Sequence, residues 1–247
     1  MLTIGNLSKT LPDGKLLLKG ISFNVAEGEF VGILGLSGVG KTILIRCLNR
    51  LTTPDAGEII LHSNGHIHFD IGRSKARELR EIRRNIAMIF QGFNLVGRLS
   101  VLENVLIGGL GRVGVFRSIA GSFNREETRL ALAALSRVGI KDLSYRRAET
   151  LSGGEQQRAA IAKAIVQQSR VLLADEPVAN LDPRTAVEVM NYLREITLED
   201  NLCTLAVLHQ PELARQFCTR VIAIRDGMMI YDDSAELTNE DISRIYS

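Results

Sequence analysis

Gly35-Leu36-Ser37-Gly38-Val39-Gly40-Lys41-Thr42 sets glycines, a lysine and a threonine at the spacing G-x-x-x-x-G-K-[ST]. Glycines let such a loop curl until its backbone N–H groups converge on a phosphate, and the helix that follows adds its positive N-terminal end. Lys41 then reaches toward the β- and γ-phosphates of a triphosphate, and the Thr42 hydroxyl is a ligand for Mg²⁺. Residues 171–176 (VLLADE) form an apolar run ending in two carboxylates. Asp175 is placed as a partner of the Mg²⁺, directly or one layer out. Glu176, one residue on, can orient and polarise an attacking water, because phosphoryl transfer depends mainly on positioning and charge. Alone, an Asp-Glu pair of this kind is as often a helix cap as a catalytic pair; behind a phosphate-binding loop it becomes specific.

A third group is Leu151-Ser152-Gly153-Gly154-Glu155-Gln156-Gln157-Arg158. Ser152 and Glu155 fit the S-x-x-E capping box of a helix over residues 156–168. Two glycines at a helix start also bare backbone N–H groups to an anion, so one segment can cap its helix and grip a γ-phosphate.

The elements that must hold these groups are legible from apolar periodicity. Residues 2–34 alternate short apolar runs with turn signals, as in an antiparallel layer. FVGIL (30–34) is a buried strand that delivers the chain into the glycine loop, and residues 41–51 have helical periodicity, so the loop stands between strand and helix. Residues 58–69 suggest a hairpin about Asn64-Gly65, with His62, His66 and His68 as solvent-facing strand residues. Residues 73–84 suggest a basic, solvated helix. After a strand at 86–90 come roughly 75 residues of mostly helical pattern. Strands and helices then alternate from residue 171 to 224, which implies a parallel sheet with crossovers.

The order of these motifs resembles that of ATP-binding cassette (ABC) ATPases, whose signature LSGGEQQR is similar to, and the match spans nearly the whole chain. The resemblance implies an α/β P-loop NTPase with a RecA-like, mostly parallel core, an N-terminal antiparallel β subdomain and an inserted helical subdomain at about 92–165, all within one ATP-binding domain over 1–247. It implies ATP and Mg²⁺ as ligands and ATP hydrolysis as the activity. Nucleotide contacts fall on residues 35–43, Ile43 included, and on Ser152, Gly153, Gly154, Glu155 and Asp182, the last in ANLDP. Gln91 resembles the glutamine that contacts Mg²⁺ or water, and His209 the switch histidine at the γ-phosphate. Where many relatives carry an aromatic residue to stack on adenine, this chain has Leu11, which removes the stacking surface. Ile43 stands where a second hydroxyl residue is common.

In that family the signature of one subunit closes over nucleotide held by another, so a homodimer is expected, with transmembrane permease subunits and, indirectly, a solute-binding protein. Stretches such as RCLNRL, FNLVGRLSVLENVLIGGLG and ADEPVANLDP are similar to phosphonate-import ATPases. Amino-acid or methionine import, and docking on a soluble phosphonate-cleaving complex, are the rival readings. The expected place is the cytoplasmic face of the cell membrane, held there by partners, since no uncharged apolar run reaches the ~18 residues of a span and no secretory leader opens the sequence. Thirty basic against twenty-eight acidic side chains argue against a nucleic-acid coat. Cys47, Cys203 and Cys218 lack metal-site spacing and read as buried thiols.

Overall fold

The computed structural model describes residues 1–63, 66–75, 77–112 and 123–246. β1 (Leu2–Thr10), β2 (Leu16–Val25), β4 (Ala56–Ser63) and β5 (His66–Asp70) pair antiparallel in the order β2-β1-β4-β5. Ile21, Phe23 and Val25 of β2 are buried while Ser22 and Asn24 between them face out, the alternation of a sheet with one covered face.

β3 (Phe30–Leu34) leaves this layer for a second sheet with β6 (Ile86–Ile89), β7 (Val171–Asp175), β8 (Cys203–Val207), β9 (Arg220–Arg225) and β10 (Met228–Ser234). Its order is β10-β9-β3-β8-β7-β6; all neighbours are parallel except β10, which turns back along β9. Every residue of β3, β7 and β8 is buried, as a parallel sheet covered on both faces requires. Side chains alternate between two cores. Phe30, Leu34, Leu172 and Ala206 enter the one beneath the helical region, whereas Val31, Ile33, Leu173 and Leu205 meet the antiparallel sheet.

The helices are α1 (Lys41–Leu48), α2 (Leu79–Arg84), α3 (Val101–Gly108), α4 (Arg125–Arg137), α5 (Gly153–Val166), α6 (Pro183–Glu199), α7 (Pro211–Phe217) and α8 (Asn239–Tyr246). α3, α4 and α5 each open on a complete capping box: Ser100 with Glu103, Asn124 with Glu127, and Ser152 with Glu155. In each, the first side chain accepts from the third backbone amide and the glutamate accepts from the first.

The basic stretch at 73–84 is helical only from Leu79. Side chains claim the backbone before it: Asp70 accepts from the Arg73 amide, Ser74 donates to the Ile71 carbonyl and Glu78 accepts from the Lys75 amide. The Asn64-Gly65 turn and the His68 side chain lie outside the described residues. His66 is exposed, but His62 is half-buried, its Nε2 3.2 Å from Thr3 Oγ1. Cys47, Cys203 and Cys218 are free and buried. Among the described residues, no helix is long and apolar enough to cross a membrane.

Candidate functional site

β3, β6, β7 and β8 all deliver their next residues to one edge of the parallel sheet, the edge at which open α/β sheets bind ligands. Register makes this tight: Ile33 of β3 and Asp175 of β7 both pair with Val207 on the strand between them. The glycine loop, the two carboxylates and His209 therefore start from nearly one row.

The loop can be built only by glycine at its first position. Gly35 has φ 142°, and a Cβ there would lie 2.2 Å from the Ile224 carbonyl oxygen. The chain enters α1 through Gly40 with no capping side chain and no acidic residue in the first turn, so the helix start is left positive. Lys41 is buried with its ammonium donating to the carbonyls of Gly35 (2.7 Å) and Leu36 (2.8 Å). Burial draws its pKa below the usual lysine value, and the charges of Glu176 and Asp175 oppose this.

The Thr42 hydroxyl donates to Asp175 Oδ1 at 2.9 Å. Asp175 is 3% exposed, and burial raises its pKa against the Thr42 hydrogen bond and the Arg46 charge. Its neighbour is turned by backbone geometry: Glu176 sits at φ 54°, an unusual conformation for a residue with a side chain. Successive strand side chains point to opposite faces, and this break lets both carboxylates serve the same edge. Glu176 Oε1 lies 2.7 Å from His209 Nε2, while Oε2 accepts from Gln91 Nε2 at 2.8 Å.

A pocket of about 160 Å³ is lined by Ser37, Gly38, Gly40, Lys41, Thr42 and Ile43, together with Glu176, His209 and Leu17. Leu17 was not singled out by the sequence. Leu11, the residue that was, closes a tight turn with Gly14 and Lys15 and is not among those lining the pocket. Nor are Ser152, Gly153, Gly154, Glu155 and Asp182. Within this chain they have local structural work. Ser152 and Glu155 cap α5, and Asp182 caps α6 by accepting from the Thr185 amide at 3.0 Å. Asp182 is exposed, and its pKa is lowered chiefly by the Thr185 side chain.

Thr42 and Asp175 offer hard oxygen donors side by side, and no group of three His, Cys, Asp or Glu gathers among the described residues. Such a pair fits a Mg²⁺ that draws its other ligands from phosphate oxygens and water, not one caged by protein.

Comparison with known proteins gives a consistent picture. The profile of the ABC transporter family matches residues 18–179. The chain is 46% identical over 247 residues to the phosphonates import ATP-binding protein PhnC of Shouchella clausii, covering 100% of this chain and 91% of that one. It is 46% identical over 242 residues to PhnC of Staphylococcus aureus, covering 98% and 92%. Among solved structures, a dimeric bacterial ABC transporter cassette superposes with a TM-score of 0.81 at 30% identity, over 96% of this chain and 100% of that one. A dimeric post-hydrolysis cassette bound to ADP and phosphate gives 0.80 at 31% identity, over 96% and 100%.

Proposed function

The chain belongs to the ABC transporter family, and on that premise we propose that it is the ATPase that drives import of a phosphonate or related phosphorus compound, as a head-to-tail dimer docked on membrane permease subunits. The observation that carries the catalytic half of this reading is the bonded trio Gln91, Glu176 and His209 beside a pocket floored by the glycine loop. The loop amides and Lys41 bind the phosphates. Glu176 holds the attacking water and polarises it, and His209 and Gln91 fix the carboxylate in the required orientation. Thr42 and Asp175, with Gln91 beside them, would hold a Mg²⁺, which would supply charge neutralisation to the phosphates.

Ser152, Gly153, Gly154, Glu155 and Asp182 act on nucleotide bound by the partner subunit, which accounts for their absence from this chain's own pocket. ATP thus joins two cassettes, hydrolysis parts them, and the permease reads the change as a population shift. Binding at the inner membrane face is peripheral, through those subunits. The phosphonate assignment rests on the full-length similarity to phosphonate-import subunits.

Glu176→Gln tests the catalytic role: the variant should bind ATP, lose turnover by at least a hundredfold and accumulate as an ATP-bound dimer on size exclusion. Turnover at the wild-type rate would refute it. Membrane co-purification with a permease, and phosphonate-stimulated ATPase in the reassembled complex, test the import half. Stimulation by methionine or another amino acid instead would move the cargo assignment.

A further inference from the structure

α8 was not anticipated by the sequence, and it is fastened to the sheet edge that carries the site. Arg225, at the end of β9, donates Nη1 to the Arg244 carbonyl at 2.8 Å, and Arg215 on α7 donates to the Leu237 carbonyl. The start of the helix is closed by its own side chains: Thr238 Oγ1 accepts from the Asp241 amide at 3.1 Å, and Asp241 Oδ2 accepts from the Thr238 amide at 2.8 Å. Ile245 is 1% exposed, and Ile242 and Tyr246 pack against the same core. So held, Tyr246 donates its phenol hydrogen to the His209 carbonyl oxygen at 3.3 Å. The Gly35 peptide lies against the same phenol, opposing the rise in its pKa caused by burial. One side chain therefore touches the backbone of both the phosphate loop's first residue and the histidine that meets Glu176.

The contact has a geometric consequence. The residue before His209 is already tied down, because the Leu208 amide donates to the Ile33 carbonyl at 3.0 Å. α7 begins two residues after His209, with Pro211 in its first turn. Holding the His209 carbonyl restricts the backbone of this short link, and so steadies the Cα that carries the imidazole whose Nε2 is 2.7 Å from Glu176.

We propose that Tyr246 is a positioning residue for ATP hydrolysis: its phenol pins the His209 carbonyl against the start of the phosphate loop and so aims the imidazole at Glu176. This rests on the assignment of Glu176 and His209 to hydrolysis.

The test compares three full-length variants by steady-state ATPase kinetics and thermal unfolding. Tyr246→Phe keeps the ring in the core and removes only the hydroxyl. It should lower kcat roughly three- to tenfold, the effect of one neutral hydrogen bond expressed in the transition state, while KM for ATP and Tm stay close to wild type. Ile245→Ala removes core packing from the same helix without touching the site; it should lower Tm and leave kcat of the folded protein unchanged at 25 °C. Wild-type kcat in Tyr246→Phe, or a fall in kcat that Ile245→Ala reproduces, would overturn the proposal. Glu176→Gln, run alongside, reports separately on the reading beneath it. If that variant turns over ATP normally, the catalytic assignment is wrong; if it is inactive and Tyr246→Phe is normal, only the role of Tyr246 is lost.

Discussion

Gly154 offers a sharp perturbation because its environment names its own remedy. A Cβ built on Gly154 would lie 2.5 Å from Thr185 Cγ2, a contact that must open to about 3.4 Å. Thr185 cannot swing its methyl aside freely. It stands in the first turn of α6, where its amide donates to Asp182, and its hydroxyl also engages that carboxylate. Gly154→Ala must therefore push α5 from α6 or break the Thr185 hydroxyl contact. Overpacking of this kind costs about 1–3 kcal/mol. Replacing a helical glycine with alanine returns about 0.5–1 kcal/mol. The net loss should be about 1–2 kcal/mol, or roughly 3–6 °C in Tm for a chain of this size. Thr185→Ser deletes the offending methyl and keeps the hydroxyl, so Gly154→Ala in that background should be neutral or stabilising. Differential scanning calorimetry of the four proteins closes the cycle. An equal loss in both backgrounds would refute the steric argument, as would no loss in either. Because neither residue lines the nucleotide pocket, ATP affinity of the isolated subunit should not change, whereas hydrolysis by the dimer should fall.

Three further expectations follow from the structure. Leu17→Ala should weaken ATP binding roughly fivefold by removing apolar contact from the pocket, while Leu11→Ala should have a smaller effect; fluorescent-nucleotide titration distinguishes them, and the reverse ranking would return the adenine-side role to Leu11. Burial pushes the Cys218 thiol up to about 12 from a reference of 9.0 and Cys47 up to about 11. Above pH 9 the unfolded chain releases these protons more readily than the folded one, so stability should decline as pH rises through the window from about 9 to 12. Urea midpoints measured across that range should fall less steeply in Cys218→Ala. In the native protein at pH 8, all three thiols should resist alkylation until denaturant is added.

The fold was legible where one local signal sufficed. FVGIL followed by the glycine loop, and VLLA followed by Asp175 and Glu176, read as buried strands because such short uninterrupted apolar runs beside those loops leave little else for them to be. The Ser152 box marked the start of α5 within a few residues. Prediction was weaker where side chains overrode periodicity: the charges at 73–84 suggested a longer helix, but Asp70, Ser74 and Glu78 take its first backbone amides and carbonyls into turns. β10 and α8 escaped notice although signals were present. Asp226-Gly227 between two alternating runs marks a hairpin, and the T-x-x-D at Thr238 precedes Ile242, Ile245 and Tyr246 on one helical face. The hydrogen-bonded trio was assembled from residues 85 and 33 positions apart, and only its members could be guessed beforehand; that Gln91 and His209 grip opposite oxygens of one carboxylate is a fact of tertiary structure.

The three capping boxes of the helical region carry a mechanical meaning. The box at each helix start satisfies its own third amide, while the Val101 and Leu102 amides that open α3 donate to the Arg146 and Ser144 carbonyls within the same helical region. Residues of α3, α4 and α5 share one apolar cluster with the sheet, and apolar contact has no preferred direction, whereas Gln167 after α5 donates to the carbonyls of Arg83 and Ile86. A tilt of these three helices as one body would keep their capping boxes and pivot where Gln167 holds the start of β6.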